Sequence, residues 1–88
     1  MRRIETFEYV IKDQLGLHAR PAGLLIKEAK KFSSQIVIEQ GESQVSALHL
    51  TALLSMGITI GTKVRVIAEG ADAEAAIEAI KNFFEENL

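Results

Sequence analysis

The feature that most constrains this chain is its hydrophobic spacing, which switches between period two and period 3.6 several times within 88 residues. A strand turns alternate side chains to one face, whereas a helix brings residues i, i+3, i+4 and i+7 together. Glu5 to Ile11 alternates, with Phe7, Tyr9 and Ile11 on one face and Thr6 and Glu8 on the other. Val10 is an apolar exception on the outer face. From Ala19 to about Phe32 the spacing becomes helical: Ala22, Leu25, Ile26 and Ala29 form a stripe, and Lys27, Glu28, Lys30 and Lys31 fall mainly outside it. Pro21 marks the first turn, where a missing N–H has no intrahelical partner to lose. His18 is thereby predicted at or beside the N-cap.

Farther along, Ile36 and Ile38 alternate, and Gly41-Glu42 turns the chain into a short strand around Val45. His49 to Ser55 is a short apolar helix ended by Met56-Gly57. Within it, Leu53 is expected in the core and Leu50 and Leu54, an i, i+4 pair, at the surface. Val64, Val66 and Ala68 define a fourth strand, with Lys63, Arg65 and Ile67 opposite and Gly70 closing it. Asp72 is placed to cap the last helix, whose inward stripe is Ala73, Ala76, Ile77, Ile80 and Phe84. The order βαββαβα contains no repeat and predicts an α+β fold. The economical arrangement is one antiparallel sheet with the helices packed on one face, forming a single domain over residues 1–88.

Composition narrows the function. A net charge of −2 argues against nucleic acid as the main partner. No segment approaches the roughly 20 apolar residues that span a bilayer. Met1-Arg2-Arg3-Ile4 runs into Glu5, Thr6 and Glu8 rather than an apolar secretory stretch, so a cytoplasmic location is expected. The chain has no cysteine and only two histidines, His18 and His49, far apart and without an obvious carboxylate partner. Neither a metal nor a cofactor is expected.

The chemistry concentrates in Gly16-Leu17-His18-Ala19-Arg20-Pro21-Ala22. A helix N-terminus offers unpaired N–H groups and partial positive charge, the requirements for holding phosphate. It also disfavours an added positive charge, so an imidazole there tends to keep the lone pair that makes it a nucleophile. Arg20 supplies a fixed cation for a phosphoryl group, and Pro21 stiffens the turn. The plain alternative, a capping histidine beside a solvated arginine, stays open on these grounds alone.

This heptapeptide resembles the active-site signature of HPr, the histidine-containing phosphocarrier family of the bacterial sugar phosphotransferase system. The resemblance continues through Leu24-Leu25-Ile26, Ala29-Lys30-Lys31-Phe32, Ser55-Met56-Gly57 and Ala68-Glu69-Gly70-Ala71-Asp72-Ala73-Glu74. It implies an open-faced β-sandwich, a four-stranded antiparallel sheet covered by three helices. It further implies that His18 accepts a phosphoryl group on Nδ1 from phospho-enzyme I, which draws on phosphoenolpyruvate. Arg20 would stabilise that group and an enzyme IIA component of a sugar permease would receive it. Such a protein is a covalent carrier rather than a turnover enzyme, and a monomer is expected. Ala19, Arg20, Gly23, Lys27, Leu50, Thr51 and Leu54 match the family's docking surface.

Three positions depart from the family pattern. His49 stands where many relatives carry a serine phosphorylated for catabolite control, so that regulation is not expected here. A capping role for His49 is the simpler expectation. Leu15 replaces a small polar residue and has no group to orient the His18 ring. Ala52 replaces a basic residue of the second helix. A regulatory HPr-paralogue binding module, or a carrier of a parallel nitrogen-regulatory or dihydroxyacetone branch, are the alternative functions.

Overall fold

A computed structural model describes residues 3–88. The elements are β1 (Arg3–Val10), α1 (Ala19–Ala29), β2 (Gln35–Gln40), β3 (Ser43–Ser46), α2 (Leu50–Ser55), β4 (Lys63–Gly70) and α3 (Ala73–Asn87). They reproduce the expected order βαββαβα. The four strands form one sheet in the order β1-β4-β2-β3, with every neighbouring pair antiparallel.

Register aligns the apolar sides of the strands. Val66 lies opposite Phe7 on one side and Ile38 on the other, while Ala68 lies opposite Ile36. These residues join the core on the helix-covered side, so the period-two pattern becomes one of its walls. α3 packs across β1 and β4, and α1 packs against α3 and α2. Phe84 is the central filler: its ring meets Phe7 and Tyr9 edge to face, with centroids 5.6 and 5.5 Å away. Phe83, absent from the expected stripe, is also buried. Ile77 and Ile26 are only partly covered.

The opposite face of the sheet is open. Glu8 lies 3.5 Å from both Lys63 and Arg65, and Arg65 is 3.8 Å from Glu39. These exposed pairs tie neighbouring strands with little energy. Val10 is exposed on this side, as its phase in the alternation requires.

α1 stops at Ala29 rather than near Phe32 because its end tightens. Lys31 N–H bonds to the Glu28 carbonyl and Phe32 N–H to the Ala29 carbonyl, three residues back in each case. This delivers Phe32 to the core and starts the turn into β2. Asp72 occupies the N-cap of α3, but its side chain does not cap that helix. Its carboxylate instead accepts the Ser33 and Ser34 N–H groups, each at 2.9 Å, and the Ser34 hydroxyl. The donors of the α1–β2 turn outcompete the helix for it, and the bond joins residues 38 positions apart in sequence. Those hydrogen bonds, the Ser34 hydroxyl foremost, hold the Asp72 carboxyl below its ordinary range.

Candidate functional site

The loop from Ile11 to His18 is shaped by one close approach. Gly16 has φ +65°, and a Cβ there would stand 2.3 Å from the Ile58 carbonyl oxygen and 2.7 Å from Thr59 Cα. Only glycine fits that backbone and that gap. The contact lets Leu17 N–H donate to the Ile58 carbonyl at 3.1 Å while the Leu17 side chain enters the core. The Ile58 carbonyl carries no side-chain signal, so its part in the site could not be read from sequence.

With Leu17 fixed, His18 follows in extended conformation (φ −95°, ψ −175°) and is the N-cap of α1. Its carbonyl accepts the first helical bond, from Ala22 N–H at 3.0 Å. Its half-buried imidazole makes no capping bond. The Ala19 and Arg20 N–H groups have no protein acceptor among the described residues, and Pro21 has none to offer. The first turn of α1 holds no acidic residue to neutralise the helix end. The Arg20 side chain is exposed, with neither an ion pair nor a hydrogen bond to the described residues. A ring, a free cation and unpaired N–H groups therefore stand together at one helix end. The arrangement can hold a tetrahedral anion on the ring nitrogen.

The other docking candidates lie on two neighbouring helices. Ala19, Gly23 and Lys27 follow at i, i+4 spacing on an exposed side of α1. In α2, Leu53 is fully buried while Leu50 and Leu54 are 43% and 39% exposed, and Thr51 is exposed. One helical turn thus divides its leucines between core and surface, as their spacing predicts. Leu48, Ile60 and Leu15 add further exposed apolar area in the segments around the site. His49 is the N-cap of α2, but it makes no side-chain capping bond, contrary to the expected role. Ser46 ends β3, and its hydroxyl accepts the Leu48 N–H at 3.2 Å.

Residues 5–86 match the protein family described as "PTS HPr component phosphorylation site". Over 75 residues the chain is 47% identical to the phosphocarrier protein HPr of Mycoplasma capricolum, covering 85% of this chain and 84% of that protein. The chain belongs to the HPr family of the phosphotransferase system. The solved histidine-containing phosphocarrier protein of Mycoplasma superposes on this HPr-family chain with a TM-score of 0.89 at 43% identity, over 93% of each chain. The HPr-like protein Crh of Halalkalibacterium halodurans is 40% identical, covering 85% of this chain and 89% of its own length. The family's four-stranded sheet and three helices are those described above. No helix among the described residues is long and apolar enough to cross a membrane, and no group of three or more His, Cys, Asp or Glu residues there could hold a metal ion.

Proposed function

We propose that this chain carries a phosphoryl group on His18, taking it from phospho-enzyme I and giving it to an enzyme IIA component during sugar uptake. The observation that carries the reading is the imidazole of His18, which makes no capping bond at a helix end where two N–H groups and the Arg20 guanidinium also lack protein partners among the described residues. In the forward step the Nδ1 lone pair attacks phosphorus while the bond between phosphorus and its donor breaks; the proton of the ring stays on Nε2. Arg20 and the first-turn N–H groups oppose the charge on the phosphoryl oxygens as it passes. When the group passes on, the bond between Nδ1 and phosphorus breaks and His18 is regenerated, so the chain acts as a carrier between two enzymes. Both partners would use the same surface of Ala19, Gly23 and Lys27 on α1 and Leu50, Thr51 and Leu54 on α2. This works for a cytoplasmic monomer that visits them in turn.

The test is incubation with phosphoenolpyruvate and enzyme I, followed by intact mass and an acid-lability assay. The expected product carries one acid-labile phosphate that is absent from His18→Ala, with the circular dichroism of the variant unchanged. Labelling retained in a folded His18→Ala protein would exclude His18 as acceptor. The similarity to Crh, described in Bacillus subtilis as a catabolite repression HPr, supports a second reading, a regulatory binding module that docks a transcription factor or another enzyme through the same helices. An unlabelled chain, beside a control HPr labelled in parallel, would favour it.

A further inference from the structure

The segment leading to His18 is held from the C-terminal end of α3. Ile11 is fastened by its own pairings, its N–H to the Thr62 carbonyl at 2.9 Å and its carbonyl to the Gly61 N–H at 2.8 Å. Leu17 is fastened to Ile58. Between these anchors, the backbone of residues 12–16 bonds outside its own loop at a single point among the described residues, the main-chain oxygen of Leu88. That oxygen accepts the N–H groups of both Lys12 and Asp13, the latter at 2.8 Å.

Chemical and packing observations agree on this contact. Leu88 is the C-cap of α3, where helix carbonyls lack intrahelical donors and the dipole is negative. Two backbone N–H donors, which would be costly to leave unpaired, meet that end. The Leu88 side chain is only 4% exposed and belongs to the core, and its N–H bonds to the Phe84 carbonyl at 2.8 Å. The acceptor is therefore fixed by the same helix that fills the centre of the core. From Asp13 the constraint passes along the loop. The Asp13 carboxylate accepts Leu15 N–H at 2.9 Å, its carbonyl accepts Gly16 N–H at 3.1 Å, and the Gly16 carbonyl accepts His18 N–H at 3.1 Å.

We infer that Leu88 is a positioning residue for His18: its buried side chain sets the main-chain oxygen that orders Lys12 and Asp13, and through them the loop presenting the imidazole. The inference rests on the carrier reading for its effect on transfer, but its effect on the loop stands apart from that reading. The test compares the full chain with Leu88→Ala, with Leu88→Met and with a chain ending at Asn87. Amide hydrogen exchange is followed residue by residue, and phosphorylation is timed at limiting enzyme I. In the shortened chain, exchange at Lys12, Asp13 and Gly16 is expected to accelerate at least about tenfold while the β4 amides of Val66 and Ala68 hold. Phosphorylation per folded molecule is expected to slow several-fold. Leu88→Ala, which keeps the main-chain oxygen but not the side chain that seats it, falls between, and Leu88→Met, which also keeps the side-chain volume, matches the full chain.

Exchange rising equally at Lys12 and Val66, with an unchanged rate of phosphorylation per folded molecule, would reduce Leu88 to a contributor to global stability and overturn the inference. If the shortened chain does not fold, the same comparison between Leu88→Ala and Leu88→Met decides it. A full chain that takes no phosphate at all would sink the carrier reading instead, and the exchange pattern would still decide whether Leu88 orders the loop.

Discussion

On the helix-covered face of the sheet, Ile38, Val66 and Phe84 are enclosed on every side, and each apolar group has apolar neighbours. At the start of α1, a few residues from that core, a ring, a guanidinium and two N–H groups stand without protein partners among the described residues, and α2 leaves two of its leucines in water. One region has used its binding capacity internally and the other has kept it. The junction between them is narrow. Leu17 is buried and His18 half-buried, so the site is carried on a rigid wall by one residue of backbone. Stability and transfer should therefore respond to different substitutions, except where a residue serves the junction itself.

The comparison would break most visibly at Phe84. Phe84→Ala removes the ring that meets Phe7 and Tyr9 and is expected to cost about 3–5 kcal/mol, read as a lower urea midpoint. That approaches the whole stability of a small domain, roughly 5 kcal/mol at the low end. Phosphorylation per folded molecule, measured in the cold, should nonetheless match the parent chain. A transfer defect exceeding the unfolded fraction would mean that core and site are not separable.

Arg20→Ala is the converse case. The guanidinium has no partner among the described residues to lose, so the melting temperature should move by no more than about 4 °C. A hydrogen bond to a charged phosphoryl group is worth about 1.5–3 kcal/mol, so transfer should slow roughly ten- to a hundredfold. A normal transfer rate would remove Arg20 from the site; a large fall in stability would show that it has a structural role.

Gly16→Ala should cross the divide. Its φ of +65° costs an L-residue about 1–2 kcal/mol, and the added methyl meets the Ile58 carbonyl and Thr59 backbone. The loop must move, and both the urea midpoint and the transfer rate should fall together. A midpoint lowered alone would mean that the ring keeps its place without the Gly16–Ile58 approach.

How much of this was legible in the sequence follows the same division. Alternation marked β1, β2 and β4 and helical stripes marked α1 and α3, because burial against one core imposes its period on local sequence, while β3 followed from the Gly41-Glu42 turn and α2 from a short apolar run. The split of Leu53 from Leu50 and Leu54 was readable for the same reason. Strand order was not: the apolar faces of β1, β2 and β4 look alike, and only packing sets β4 between the other two. Phe83 escaped because α3 is covered on two sides, by the sheet through Phe84 and by α1 beyond it, so its buried arc is wider than one stripe. At the site, residue types pointed to phosphate chemistry, but the groups that hold the loop are the backbone of Ile58 and Leu88, which carry no side-chain signature.

Asp72 is where local reading failed most instructively, and it yields the smallest and most condition-dependent effect. An aspartate before a helix reads as its cap. Here the carboxylate serves Ser33 and Ser34 across the fold, and those donors lower its proton affinity. A carboxyl held below its ordinary value contributes stability that is fully present above that value, near pH 3.8, and is lost as pH falls through the folded one. Asp72→Asn should therefore lower the melting temperature at neutral pH, and the gap from the parent chain should narrow below about pH 4 and close in stronger acid. A gap that stays constant across that range would trace the loss to the geometry of the amide rather than to the charge. A gap that widens in acid would reverse the assigned direction. Because the clamp lies at the α1–β2 and β4–α3 turns, away from the first turn of α1, phosphorylation of the folded Asp72→Asn chain should be unaltered at either pH extreme where the parent remains folded.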